Sequence, residues 1–118
     1  MRQEEGDNMS VYYLNYDIER LKEQRHGSYL VPEAFKNSVR LELKWAYTAL
    51  LNLLLDEAEY SAANEAYLCK DLNKMSQALA KLTNKKVDQD KMQNYLDELE
   101  TADLVDLAED KCYLKRII

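Results

Sequence analysis

The chain has 118 residues, 47% hydrophobic and 32% charged, with only two glycines and one proline. This length fits one domain with a single core, the composition is that of a globular rather than a disordered protein, and the shortage of turn residues argues against an all-β fold. The net charge of −6, from 22 acidic and 16 basic residues, excludes a generally basic nucleic-acid-binding protein, so any such surface must be local.

The chain opens with polar residues that show no periodic pattern, and residues 1–13 are predicted to form a flexible N-terminal arm. A short helix is predicted near residues 14–26, where apolar residues recur at three and four positions. Val11 and the tyrosines that follow it are unusually apolar for an arm. We expect them to pack in the core or, as the alternative, to form a dimer contact.

A long helix is predicted from Val39 to about Tyr60, preceded by a segment that is extended up to Pro32. The long helix is apolar on most sides, which is typical of a helix buried on several faces at the centre of a domain. Trp45 lies beside its main apolar stripe. We expect this side chain to pack in the core or in an interface rather than to serve as a stacking platform.

The second half of the chain predicts two helices and a hairpin. The stretch 61–71 suits a helix in its first part and a short strand in its second. A helix is predicted over about 72–83, and after a polar turn Asp88 is a good N-cap for a helix that ends near Asp103. The remaining residues alternate in parts around "AEDK" and predict a β-hairpin, although no glycine is present to mark its turn.

Two helices joined by a short turn and followed by a hairpin have the order of a winged helix-turn-helix. The predicted fold is therefore mainly α, with a three-helix core, a C-terminal β-hairpin and an extra N-terminal helix. Residues 14–118 are predicted to form this single winged-helix domain.

Two segments, "SYLVPEAFKNSVRLELKWAYTALLNLLL" and "MSQALAKLTNKKVDQDKMQNYLDELETADLV", resemble the N-terminal winged-helix domain of plasmid replication initiators of the replication-initiator-A type and of phage replisome organisers. Those families open with an extended apolar stretch ending in a proline, continue into a long Leu-rich helix and close with a helix-turn-helix. The resemblance covers about residues 28–117. It implies sequence-specific DNA binding for a plasmid or phage-like element, in replication initiation or its regulation. Asp103 departs from the pattern, because it stands where glycine is usual.

In a winged helix, the second helix of the pair enters the major groove of double-stranded DNA. Gln and Asn can pair with adenine edges, and Lys can contact guanine or phosphate. The predicted DNA-binding residues are Lys81, Lys85, Lys86, Gln89, Lys91, Gln93, Asn94, Lys111, Lys115 and Arg116. Because one domain offers only a few phosphate contacts, its affinity for DNA would be modest, and a homodimer on a two-fold site is expected.

Acidic residues on the same helix, including Asp90, Asp97 and Glu98, support an alternative. The domain would then be a protein-interaction module that dimerises, or that binds a basic protein partner as an inhibitor or DNA mimic. The two hypotheses predict different surfaces. A continuous basic strip from Lys81 through the hairpin indicates DNA, and an unbroken acidic strip over 88–103 indicates a basic protein.

No enzyme activity, cofactor or metal is predicted, because the single histidine, His26, and the distant Cys69 and Cys112 form no ligand pairs or catalytic motif. Both cysteines are expected to be buried or semi-buried reduced thiols. The longest apolar segment, "WAYTALLNLLL", is shorter than the roughly 20 residues that span a bilayer, and the N-terminus lacks the apolar stretch of a secretory signal. The protein is therefore expected to be cytoplasmic, without a membrane partner.

Overall fold

The computed structural model describes residues 10–25, 29–32, 35 and 39–117. Its helices are α1 (Asn15–Arg25), α2 (Leu41–Glu57), α3 (Leu72–Thr83) and α4 (Gln89–Thr101). Its strands are β1 (Glu59–Tyr60), β2 (Ala66–Cys69), β3 (Val105–Ala108) and β4 (Lys111–Leu114). The described part of the chain is thus mostly helical with one small antiparallel sheet.

α2 is the central helix, as its sequence predicts. α1, α3, α4 and β2 all pack against it, which explains why apolar residues occupy most of its circumference. Tyr47 and Leu50, for example, are fully buried. The helix ends at Glu57, before the predicted end at Tyr60. Glu59 and Tyr60 instead form strand β1, which pairs with β2.

A buried asparagine on α2 holds the segment that precedes this helix. The Asn52 side chain accepts a hydrogen bond from the Leu30 N–H and donates one to the Leu30 carbonyl, both at 2.9 Å. The amide thereby satisfies both backbone groups of Leu30, as a neighbouring strand would. Residues 29–32 form neither a helix nor a strand, and the ring of Pro32 is buried.

α3 and α4 begin and end where their sequence predicts. Asp71 caps α3 by accepting the Lys74 N–H at 3.1 Å, and Asp88 caps α4 by accepting the Lys91 N–H at 2.8 Å. Asn84 ends α3 in the left-handed conformation, with φ of 57°, which asparagine adopts more readily than most residues. These caps confirm the predicted helix from 72 to 83 and the N-cap at Asp88.

The strand order is β1-β2-β4-β3, with every neighbour antiparallel. β3 and β4 form the predicted hairpin, in which Ala108 lies opposite Lys111. β2 pairs with β4 through Leu68 and Cys112, so the strand before α3 joins the hairpin after α4 in one sheet. The stretch 61–71, whose sequence suits both helix and strand, contains a turn at residues 62–63 followed by β2.

Two non-glycine residues adopt left-handed backbone at the hairpin. Asp103 follows α4 with φ of 64°, a backbone conformation that glycine would adopt without steric penalty. Glu109, with φ of 55°, is the first of the two residues that connect β3 to β4. Aspartate tolerates this region of backbone conformation, whereas for a longer side chain such as glutamate it costs about 1 kcal/mol of folding free energy. The hairpin therefore forms without glycine at the expense of local strain.

Residues 10–13, which lie within the predicted arm, contact the folded body. Tyr13 is fully buried, and its hydroxyl lies 2.9 Å from that of Tyr47. Tyr12 forms a β-bridge with Lys115. The expectation of core packing is confirmed for Tyr13, whereas Val11 is 53% exposed. The remainder of the predicted arm, residues 1–9, lies outside the described residues.

A buried carboxylate fixes the start of α1. Asp17 is 1% exposed and accepts the Leu14 N–H at 2.8 Å, which is half of a capping box. The same carboxylate lies 3.4 Å from the Arg20 guanidinium and 3.6 Å from that of Arg116. Asp17 therefore ties the first helix to the last described residues of the chain.

Candidate nucleic-acid interface

Four predicted DNA-binding lysines surround the turn between α3 and α4. Lys81 lies in the last turn of α3, Lys85 and Lys86 in the connection, and Lys91 in the first turn of α4. All four side chains are exposed. None of them forms an ion pair with the part of the chain that the structure describes. This group, the turn lysines, is available to an anionic partner.

The direction of α4 is set by its buried inner face. Met92, Leu96 and Leu99 are fully buried, and packing of these residues leaves Gln89 and Asn94 exposed on the outer face. Their amides are free to face a partner. The third predicted polar residue, Gln93, is half-buried and donates from Nε2 to Asp97 Oδ1 at 2.9 Å.

Several acidic side chains near α4 are already engaged. Glu98 accepts two hydrogen bonds from Arg40 Nη2, at 2.7 and 2.8 Å, and this carboxylate raises the pKa of Arg40. Glu100 accepts the Leu107 N–H of β3 at 3.1 Å, and Asp88 caps the helix. The acidic strip over 88–103 that the interaction-module alternative predicts is therefore interrupted at Glu98, whose charge is offset by that of Arg40.

The bases predicted on the hairpin are also engaged. Lys115 Nζ lies 3.1 Å from Asp103 and 3.4 Å from Asp106, and the hydrogen bond to Asp103 raises the pKa of Lys115. Lys111 Nζ lies 4.9 Å from the centre of the Tyr67 ring. Arg116 reaches the buried Asp17 at 3.6 Å. These three bases thus face internal partners.

The connection at the tip of the hairpin is acidic. Glu109 and Asp110 are both exposed. The continuous basic strip that would run from Lys81 through the hairpin is consequently not formed by the described residues, and the turn lysines stand by themselves.

Beside the turn lysines lies a groove of about 720 Å³ that the sequence did not reveal. It opens between the start of α2, the end of α3 and the outer side of α4. Its apolar lining consists of Leu41, Trp45, Leu79, Leu82, Val87 and Tyr95. Leu41 and Trp45 are 61% and 37% exposed. Trp45, expected in a core or interface, therefore lines an open groove.

A sequence signal for this groove exists in retrospect. Leu41 and Trp45 are four residues apart, so they share one face of α2. That face lies beside the main apolar stripe of α2, and both of its residues are large and apolar. Two large apolar residues outside the stripe are consistent with a contact that the helix does not make internally.

The two cysteines differ in environment. Cys112 is fully buried on β4, and burial raises the pKa of its thiol to about 12. Cys69 is exposed and donates to Glu59 at 3.1 Å, which raises the pKa of its thiol. The expectation of burial is therefore wrong for Cys69, because β2 turns this side chain outward beside β1. Both environments favour the protonated thiol.

Among the residues that the structure describes, no three Cys, His, Asp or Glu side chains are grouped to hold a metal ion. His26 lies outside those residues. In the same described ranges, no helix has the length and apolar character to cross a bilayer.

Comparison of the chain with protein-family models, with curated proteins and with solved structures gives no match. The resemblance to replication initiators and replisome organisers therefore carries weight only as a proposal.

Proposed function

We propose that the chain is a winged helix-turn-helix protein that binds double-stranded DNA in a sequence-specific manner. Its element order supports this, since α2, β2, α3, α4 and the β3-β4 hairpin follow one another with β2 paired to β4. The observation that carries the proposal is the cluster of exposed turn lysines at the entry to α4. The resemblance adds the context, a plasmid or phage-like element in which the protein acts in replication initiation or its regulation.

In this proposal α4 lies in the major groove with its N-terminal half leading. Gln89 and Asn94 face base edges, and Lys85, Lys86 and Lys91 contact phosphates. The hairpin bases contribute little, since Lys115 is held by two carboxylates. With about three phosphate contacts, affinity would fall about 40-fold between roughly 50 and 200 mM salt.

The test is fluorescence anisotropy of labelled random duplex DNA, titrated with the protein over that range of salt. The variant Lys85→Glu with Lys86→Glu should lose at least about tenfold in affinity, because two phosphate contacts become repulsive. Lys22→Glu is the matched control, since Lys22 is an exposed lysine on α1 beside Glu19. Site selection would follow, and a palindromic site with two half-sites one helical turn apart would support the proposed homodimer.

The proposal fails if the wild-type protein does not bind duplex DNA at low salt. It also fails if the turn variant and the Lys22→Glu control bind DNA equally well, since the turn lysines would then take no part in binding.

A second candidate is an acidic interaction module that binds a basic protein. The observation in its favour is the acidic hairpin tip, Glu109 and Asp110, together with the exposed Asp90 and Asp97 on α4. A short poly-lysine peptide serves as the probe. Binding that is lost in Glu109→Lys with Asp110→Lys, in a protein that does not bind duplex DNA, would favour this candidate over the first.

A further inference from the structure

The groove beside the turn lysines has an apolar floor that the protein leaves open. Leu41 and Trp45, from the first turns of α2, line it together with Leu82 at the end of α3 and Val87 in the α3–α4 turn. Trp45 and Leu41 expose apolar surface to water on one face of α2. Burial of this surface against a docked apolar side chain would favour binding. The groove therefore suits a ligand with at least one large apolar group.

The rim of the groove is positively charged. Lys85, Lys86 and Lys91 line it, and none of them is ion-paired with another described residue. The two acidic residues of the lining, Glu42 and Glu98, both pair with Arg40, so the four basic and two acidic side chains of the lining leave a net charge of +2. Arg40 bonds Glu98 at 2.7 Å and lies 3.4 Å from Glu42. The free charge at this rim is thus basic, in a chain whose net charge is −6.

The shape and the charge together select the chemistry of the occupant. A duplex offers phosphates to the lysines but has no apolar side chain for Leu41 and Trp45. An uncharged apolar peptide would leave three lysines without partners. A segment with acidic residues around one or two apolar side chains satisfies both features, as in the docking of amphipathic helices into grooves.

We propose that this groove binds a short acidic, amphipathic segment of a partner protein. An apolar side chain of the segment inserts between Leu41 and Trp45, and its carboxylates pair with Lys85, Lys86 and Lys91. This inference goes beyond the proposed function and does not depend on it. Where both hold, the segment and DNA compete for the same three lysines, and the partner would release the protein from DNA.

Trp45 is the chain's only tryptophan, so its fluorescence reports on the groove directly. The probe is a synthetic peptide of about four helical turns, with Asp and Glu around Leu residues on one face and no tryptophan. Titration of the full chain should shift the Trp45 emission to shorter wavelength as water leaves the ring. A second peptide, with Ser in place of each Leu, should bind at least about tenfold more weakly.

Two variants separate the floor from the rim. Leu41→Ser removes an exposed side chain, so the fold should survive, and peptide affinity should fall several-fold. Lys86→Glu with Lys91→Glu should weaken binding at least about tenfold and reduce its dependence on salt. Lys22→Glu on α1 is the control and should bind the peptide like the wild type.

The titration contains no DNA, so its outcome is separate from that of the DNA-binding test. No emission shift with the acidic peptide, or equal affinity for the Ser-substituted peptide, would overturn the proposal. A shift that appears with protein concentration alone would assign the groove to a second copy of the chain. A short duplex that gives the same shift, with no loss in Leu41→Ser, would assign it to DNA.

Discussion

The α3–α4 turn and the C-terminal hairpin are both rich in basic residues, yet they present them in opposite ways. Lys85 and Lys86 at the turn are exposed and form no ion pair within the described chain. Lys115 and Arg116 after the hairpin are held by Asp103, Asp106 and Asp17. A basic residue therefore contributes to a basic surface only where the fold brings no acid to it.

Topology explains the difference between the two regions. β4 is an inner strand, with β2 on one side and β3 on the other, and residues 10–17 pass alongside its end. Carboxylates from several elements thus surround the bases that follow β4. The α3–α4 turn is a connection between two capped helices, and loops of this kind lie at the surface with few neighbours.

The largest expected effect concerns the anchor beneath the hairpin. Asp17→Ala removes a buried carboxylate from the Leu14 N–H and from two guanidinium groups. Because the Leu14 N–H and the Arg116 guanidinium, whose side chain is 28% exposed, lose their acceptor, the free energy of unfolding should fall by about 2 kcal/mol in urea denaturation. Asp90→Ala, an exposed change on α4, is the control and should stay within about 0.5 kcal/mol. Equal losses in both variants would mean that Asp17 is not an anchor.

Raising the pH should also act on the hairpin. Cys112 on β4 and Tyr47 on α2 are buried, and burial raises the pKa of each above its ordinary value, that of Cys112 to about 12. Each group binds its proton more tightly in the folded state. Its contribution to stability is complete below the ordinary pKa of the unfolded chain and is lost as the pH rises toward the folded value.

The free energy of unfolding, measured under reducing conditions, should therefore decline above about pH 8.5 by about 1.4 kcal/mol per pH unit for each group involved. Cys112→Ala should remove most of the decline below about pH 10, where the tyrosines begin to ionise, because the remaining thiol, Cys69, is exposed and its raised pKa contributes less. An unchanged decline in Cys112→Ala would show that another group controls the alkaline transition.

A smaller effect is expected on the salt dependence of DNA binding, which should differ between variants of the two basic regions. Lys86→Gln should reduce the slope of log affinity against log salt by about 0.9, because one phosphate contact is lost. Lys115→Gln should leave the slope unchanged, since this lysine is already paired with Asp103 and Asp106. Both slopes come from the anisotropy titration. If Lys115→Gln lowered the slope as much as Lys86→Gln does, the hairpin would contact DNA despite its ion pairs.

Local signals were sufficient for much of the fold. The periodicity of α3 and α4, with Asp88 as N-cap, predicted both helices and the turn between them. The alternation around "AEDK" predicted the hairpin. These features depend on neighbours within a few residues, which a single sequence contains.

The remaining features depend on distant neighbours. Arg116 forms an ion pair with Asp17, which lies near the other end of the chain. Arg40 forms one with Glu98, about half the chain length away in sequence. No local pattern predicts such pairs. The sequence therefore indicates Lys115 and Arg116 as candidate DNA contacts without showing the acidic residues that pair with them in the fold. The groove was missed for the same reason, since its walls come from α2, α3 and α4.

The smallest expected effect concerns the hairpin tip. Glu109 has φ of 55°, a region that glycine enters without the steric penalty that a Cβ imposes. Glu109→Gly should therefore raise the free energy of unfolding by about 0.5 kcal/mol, after the greater entropy of glycine in the unfolded chain is subtracted. Asp110→Gly is the matched control, because the backbone of Asp110 does not lie in the left-handed region, and it should destabilise. If both changes destabilised equally, the turn would carry no strain at Glu109. A stabilised hairpin that binds DNA no better would further show that the tip does not approach the duplex, whereas tighter binding would mean that removing its acid brings the hairpin into contact with phosphate.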